Sequence, residues 1–285
     1  MEGVRTVALI GPGRAGTTIS LALVEQGWTV VAVAGRAPDA ASTSAAAACL
    51  AARPTLVSEA ARGASLVIVA TPDRAIEQAV LAAEPSIEDG ALVVHLAGSR
   101  GVDVFETLLE KRSGIRVGAL HPLQSFPSST IGVERLRGAW AAVAGDPGVT
   151  EIANLLGLRT FEVADADRVR YHTAAVVASN HLVALLGQVE RLATSCGVPF
   201  EAFAQLVISS VQNAFSLGPS EALTGPVQRG DLATVERHVR ELDAPERDAY
   251  RALAREAARL TGRRDTGLDR LLDDLKSGNR SGEAR

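Results

Sequence analysis

Gly11-Pro12-Gly13-Arg14-Ala15-Gly16 follows the β-branched run Val4–Ile10 and opens the helical run Ala15–Gln26. A G-x-G-x-x-G set between a strand and a helix gives each glycine a physical job. Gly11 allows the tight turn, Gly13 lets the backbone approach a pyrophosphate, and Gly16 permits close packing of helix on strand. The phosphates then face the free N–H groups of the helix N-terminus around Arg14 and Ala15. Strand, glycines, helix and a second strand in this order predict dinucleotide binding rather than a merely structural turn.

The second strand candidate, Thr29–Ala34, ends at Gly35-Arg36. An NAD-specific fold places Asp or Glu there, on the ribose 2′-hydroxyl. Arg36 instead offers a fork for a 2′-phosphate, and Gly35 allows close approach, so the expected cofactor is NADP(H). A further candidate, Leu66–Ala70, breaks at Thr71-Pro72-Asp73. That places Thr71 and Pro72 at the carboxyl edge where doubly wound sheets bind ligands, bordering the nicotinamide end.

Further strand candidates follow at Leu92–Leu96, Val117–Leu120 and Trp140–Ala144, alternating with helical segments as βαβ units do. After one short run, Thr160–Val163, the pattern turns helical: Asp165–Cys196, Phe200–Ser216, Leu232–Leu242 and Pro245–Leu260. The expected architecture is α/β: a doubly wound Rossmann parallel sheet over residues 1–150, then a smaller all-α substrate and dimerisation domain over residues 151–285. The polar tail from Ser277 to Arg285 is expected to fray.

The bulk numbers agree with two cores. The 285 residues are 47% hydrophobic and 22% charged, an ordinary globular composition. No apolar run reaches the ~20 residues needed to cross a bilayer. Met1-Glu2-Gly3-Val4-Arg5 has no basic region or cleavage site of a secretory signal, so a cytoplasmic protein is expected. A net charge of −4 leaves no basic footprint for nucleic acid, and Arg263-Arg264 is too small to supply one. Cys49 and Cys196 have no metal-ligand spacing and read as buried filler; no metal site is expected. The partner is a small molecule, and the apolar helices of the second half suggest a homodimer.

In the apolar run Tyr171–Leu182, His172, Ser179, Asn180 and His181 are conspicuous. A helix that apolar is expected to be buried, and buried polar groups need partners or a ligand. His172 and Asn180 are eight residues apart, about two turns, so they can line one side of a cleft. The competing reading is a pair of satisfied core polar groups. Thr224, Arg229 and Asp231 lie in a Gly/Pro-punctuated segment, where Arg229 can grip a substrate carboxylate or pair with Asp231 to stiffen the loop.

The runs Tyr171–Leu185, Ala222-Leu223-Thr224-Gly225-Pro226-Val227-Gln228-Arg229-Gly230-Asp231 and His121-Pro122-Leu123-Gln124-Ser125-Phe126 together resemble the bacterial proteins that join a Rossmann-like domain to domain of unknown function 2520. The resemblance covers nearly the whole chain. It implies an oxidoreductase related to the ketopantoate reductase and 6-phosphogluconate dehydrogenase superfamily. Ketopantoate reductases keep a catalytic Lys, an Asn four residues on and another eight on. Set on Asn180, that pattern puts His172 at the lysine and Val176 at the middle asparagine, so the last position matches and the proton donor changes identity. A histidine with an ordinary pKa near 6.5 can still protonate a new alkoxide.

A second resemblance competes. Leu96-Ala97-Gly98-Ser99-Arg100-Gly101 and Gly118-Ala119-Leu120-His121-Pro122 are similar to the Gly-Ser and His-Pro of prephenate and arogenate dehydrogenases, which implies that Ser99 and His121 contact a substrate hydroxyl. Both stretches follow strand candidates, on the cofactor's edge of the sheet. The leading expectation is NADPH-dependent reduction of a small 2-oxo acid: His172 or His121 protonates the oxygen, Asn180 orients the carbonyl and Arg229 holds the carboxylate. The alternatives are a prephenate-type dehydrogenase and an NADP-binding regulatory protein without turnover.

Overall fold

The computed structural model describes residues 5–262 and 266–274. The expected frayed tail and the Arg263-Arg264 pair fall outside the described residues, as does Val4. Eight strands form one sheet: β1 (Thr6–Ile10), β2 (Thr29–Ala34), β3 (Arg53–Thr55), β4 (Leu66–Val69), β5 (Leu92–His95), β6 (Arg116–Pro122), β7 (Trp140–Gly145) and β8 (Arg159–Glu162). Their order is β3-β2-β1-β4-β5-β6-β7-β8, and the first six run parallel in the doubly wound arrangement.

Burial on both faces is why these strands read as continuous apolar runs. Alternate residues of β1 serve opposite sides of the sheet. Val7 and Leu9 join Ile19, Leu23, Ile68 and Val94 in one apolar cluster. Ala8 and Ile10 join Val67, Val69, Ile76 and Phe105 in the other. The helices of this half are α1 (Arg14–Glu25), α2 (Ala41–Cys49), α3 (Val57–Ala60), α4 (Ile76–Ala83), α5 (Glu106–Lys111), α6 (Ser129–Glu134), α7 (Gly148–Leu155) and α8 (Arg168–Val176).

Several expectations are corrected. The sheet is mixed rather than wholly parallel: β7 runs antiparallel to β6, with His121 opposite Ala142, and β8 is parallel to β7. The three-residue edge strand β3 escapes sequence reading because Pro54 sits in it, and proline is tolerated in a strand only at such an edge. Cys49 and Cys196 are exposed rather than buried. Cys49 faces outward because Thr43, Ala46, Ala47 and Leu50 take the inward stripe of α2.

The chain divides into two compact units at Leu182/Val183, so the first extends past the boundary expected at residue 150 and includes α7, β8 and α8. The second contains most of α9 (Leu182–Ser195), then α10 (Ala204–Leu217), α11 (Pro219–Ala222), α12 (Pro226–Arg229), α13 (Leu232–Glu241), α14 (Ala244–Leu260) and α15 (Thr266–Asp274). Val235, Val239, Ala254, Leu268 and Leu272 form its small core. No helix among the described residues is long and apolar enough to cross a membrane.

The single helix expected over Asp165–Cys196 is in fact α8, a π-helical turn at Val177–His181, and α9. Ser179 Oγ bonds the Ala175 carbonyl at 2.7 Å, the side-chain back-bonding that bends helices. The run is also less buried than expected. Val169, Val177, Asn180 and His181 are exposed.

Candidate functional site

The turn after β1 is shaped by its glycines. Gly11 has φ +91°, a conformation that L side chains rarely adopt, and a Cβ there would meet the Ala70 carbonyl carbon and the Thr71 nitrogen at 2.6 Å. At Gly16 a Cβ would lie 2.7 Å from Ala70 Cβ and 2.8 Å from Leu9 Cδ1, so its absence sets how closely α1 packs on the sheet. Gly13 differs from both. Its backbone is extended, and nothing lies within 4 Å of where its Cβ would be. The space above the turn is open, and no acidic residue stands in the first turn of α1. Ala15 lies in that turn, while the Arg14 side chain reaches the Pro127 carbonyl at 3.5 Å.

Arg36 follows β2 and is exposed. Beside it, a side chain on Gly35 would collide with Thr43 Oγ1, a buried hydroxyl with no hydrogen-bond partner among the described residues. Thr71 Oγ1, at the end of β4, is likewise buried and unpartnered; Pro72 follows it and is exposed.

At the carboxyl ends of β4, β5 and β6 a polar cluster assembles within the first unit. His95 ends β5 and is fully buried. The Ala97 N–H donates to its Nδ1 at 3.2 Å, so the ring proton belongs on Nε2, which lies 2.9 Å from the Gly101 carbonyl. Burial lowers the His95 pKa to about 4. This neutral imidazole therefore pins both ends of the loop that carries Gly98 and Ser99. The Ser99 hydroxyl donates to the Asp73 carboxylate, just past Thr71-Pro72.

β6 presents His121, and α8 presents Tyr171 and His172. His121 Nδ1 and the Tyr171 hydroxyl are 2.7 Å apart. The two histidine rings meet edge to face, centroids 5.5 Å apart. Gly98 is the floor they share: a Cβ there would collide with His172 Nδ1 and lie 2.8 Å from His121 Nε2. His172 Nδ1 is buried and has no hydrogen-bond partner among the described residues. Burial first, and then the charges of His172 and Arg168, lower the His121 pKa to about 4, with Asp73 opposing. Burial raises Tyr171 to about 12.

Residues 2–122 match the Rossmann-like domain, and residues 141–257 match Domain of unknown function DUF2520. The chain carries a Rossmann-like domain followed by a DUF2520 domain. This Rossmann-like, DUF2520 chain is 25% identical to a "putative NADP oxidoreductase" from Bacteroides fragilis, with a TM-score of 0.79 over 90% of this chain and 98% of that one. A Thermotoga maritima protein is 26% identical, with a TM-score of 0.65 over 90% of this chain and 100% of its own. A Plasmodium falciparum pyrroline carboxylate reductase with NADP bound is 12% identical, with a TM-score of 0.59 over 91% and 99%; it shares the fold. No curated protein matches the sequence.

Within this Rossmann-like, DUF2520 chain, His121, His172 and the Gly98-Ser99 turn come together as one cluster. Asn180 lies in the π-helical turn, where its Oδ1 is 2.8 Å from Ser179 Oγ, and its hydrogen bond is to that neighbour rather than to His172. Thr224 and Arg229 are exposed residues of the second unit. Asp231 caps α13 by accepting from the Thr234 N–H at 3.1 Å, a role that the Arg229–Asp231 pairing did not anticipate. Sequence reading missed Tyr171, His95, Asp73 and Arg168 as site residues. The spacing of Arg168, Tyr171 and His172 at i, i+3 and i+4 was the available signal.

Proposed function

We propose that this chain is an NADP(H)-dependent oxidoreductase that reduces the carbonyl of a small 2-oxo acid. The observation that carries the reading is the meeting of His172 Nδ1 and His121 Nε2 over Gly98, at the carboxyl ends of β5 and β6, the same edge of the sheet as the glycine turn after β1. The open space over Gly13 and the unpartnered hydroxyls of Thr43 and Thr71 fit a dinucleotide laid along that edge. The turn at Gly11 and Gly13, with the first turn of α1 that Gly16 seats against the sheet, holds the pyrophosphate; Arg36 holds the 2′-phosphate, and Thr71 and Pro72 border the nicotinamide.

When bound, the reduced nicotinamide supplies a hydride to the carbonyl carbon. The chain supplies the proton. His172, whose Nδ1 has no other partner, delivers it to the carbonyl oxygen, so the product is the 2-hydroxy acid. His121 stays neutral, with Nδ1 accepting from Tyr171 and Nε2–H free to polarise the same oxygen. The expected homodimer enters through α10, which buries none of its own residues. Arg229, expected to grip the substrate carboxylate, belongs to the second unit and is given no role in this scheme.

The test is a panel of 2-oxo acids with NADPH, followed by cofactor fluorescence. His172→Ala is expected to lower kcat ~10²-fold, with His121→Ala acting mainly on KM. A prephenate-type dehydrogenase is the second reading, favoured by Ser99 and His121 sharing one edge, and it predicts the opposite ranking. NADPH binding with no consumption across the panel would leave a non-catalytic regulatory protein.

A further inference from the structure

Arg168 opens α8 and has a side-chain exposure of 0%. Removing a guanidinium from water is costly unless its N–H groups find acceptors. None of its three nitrogens has a hydrogen bond among the described residues. Its ion-pair contact is Asp165, 3.4 Å from Nε and 46% exposed. That carboxylate approaches the ε edge and leaves the fork of Nη1 and Nη2 unbonded. The buried arginine of the second unit is handled differently, since Arg251 Nη2 donates to the Leu272 carbonyl.

The free fork lies within the candidate site. Arg168 stands three residues before Tyr171 and four before His172, along one face of α8. Its charge is felt at His95, His121 and Tyr171. Burial keeps both imidazoles neutral, so neither adds a second positive charge beside the fork. The carboxylate felt at His121 is Asp73, which is engaged by Ser99. A cationic fork with no acceptor, beside groups poised to act on a carbonyl, is built for an anion that arrives from outside.

We infer that Arg168 is the anion receptor of this site and takes a substrate carboxylate on its two terminal amino groups. Planar fork and planar carboxylate match through two parallel N–H···O bonds, which favours a carboxylate over a tetrahedral phosphate. The inference rests on the reductase reading for what the molecule is, and extends it by naming the residue that selects an acid. Arg168 is covered in the free chain, so the anion enters with movement of the half-buried Tyr171 and His172 side chains.

Calorimetric titration of oxamate into the full chain saturated with NADP+ tests it, with neutral oxamide and inorganic phosphate as comparison ligands. Oxamate is expected to bind at least ~10-fold more tightly than oxamide, and Arg168→Met to weaken oxamate ~10- to 100-fold with NADP+ affinity retained. Arg168→Lys keeps the charge without the fork and is expected to lose about tenfold. If Arg168→Met fails to fold, the oxamate–oxamide comparison in the wild-type chain and the lysine variant decide. Equal binding of oxamate and oxamide, no oxamate binding, stronger binding of phosphate, or oxamate affinity unchanged in either variant would overturn the assignment. Oxamate binding needs no turnover, so an inactive chain that binds oxamate through Arg168 removes the reductase reading and leaves the receptor standing.

Discussion

His121 Nδ1 and the Tyr171 hydroxyl, 2.7 Å apart, join the sixth strand of the sheet to the first turns of α8. Fifty residues separate them in sequence, and among the described residues neither makes another side-chain hydrogen bond. With His121 lowered to about 4 and Tyr171 raised to about 12, both are neutral across the working range. In the proposed reaction, activity that needs neutral His121 is lost as pH falls through about 4. Tyr171→Phe removes the bond that sets the imidazole's tautomer and is expected to lower kcat/KM about tenfold, the worth of one buried hydrogen bond. A flat acid limb, or a phenylalanine variant with wild-type kcat/KM, would count against a working role for the pair.

Gly13 and Gly16 separate binding from folding. Gly13 is extended with open space before it, so Gly13→Val should fold with an unchanged Tm and lose NADPH affinity, because the new side chain occupies the phosphate's place. Gly16→Val puts atoms against Ala70 and Leu9 and should lower Tm by overpacking, at a cost of about 1–3 kcal/mol. Thermal melts paired with cofactor titrations check both. NADPH affinity retained in a well-folded Gly13→Val variant would remove the turn from the binding site.

Arg36 is an exposed cation two residues past the end of β2, where the proposed function puts the ribose. Arg36→Asp replaces a partner for the 2′-phosphate with a repelling charge and an acceptor for a free 2′-hydroxyl. NADPH binding should fall roughly 10- to 100-fold and the preference should invert toward NADH. Titration of both cofactors against both proteins measures it, and wild type binding NADH as tightly as NADPH would contradict the assignment.

His95 links stability to acid. Its folded pKa lies below the unfolded value of 6.5, at about 4, so between those values the unfolded chain binds more protons. The stability it contributes is present above about 6.5 and is lost as pH falls through about 4. His95→Leu leaves the Ala97 N–H and the Gly101 carbonyl without their side-chain partner, at about 1–3 kcal/mol for each buried group, and should flatten the acid limb. Denaturant midpoints measured from pH 7 to pH 4 in both proteins test the sign as well as the size.

The proposed homodimer makes a separate prediction. Phe215 is 89% exposed and Leu206 64%, both on α10. Phe215→Asp should convert a dimer to monomer by light scattering while the helical circular dichroism persists. A wild-type chain that is monomeric at micromolar concentration would refute the proposal.

The doubly wound sheet was legible in the sequence because its signals are local. The glycine turn needs three glycines at fixed offsets, a strand buried on both faces reads as an apolar run, and the helices of the second half carry their own periodicity. Thr71-Pro72, His121 and His172 could be singled out for similar reasons, since a strand end or an apolar helix marks a polar residue as unusual. What tertiary structure alone decided is which of these meet. Strand direction after β6 depends on pairing between segments, not on composition, so the reversal at β7 was invisible. The π-helical turn at Val177–His181 was equally invisible, since nothing in its apolar run marks a change of helical pitch. The link between His121 and Tyr171 joins two separate elements, and the bonds that set the tautomer of His95 close a buried loop. Such links exist only once burial has removed the water that would otherwise have satisfied those groups.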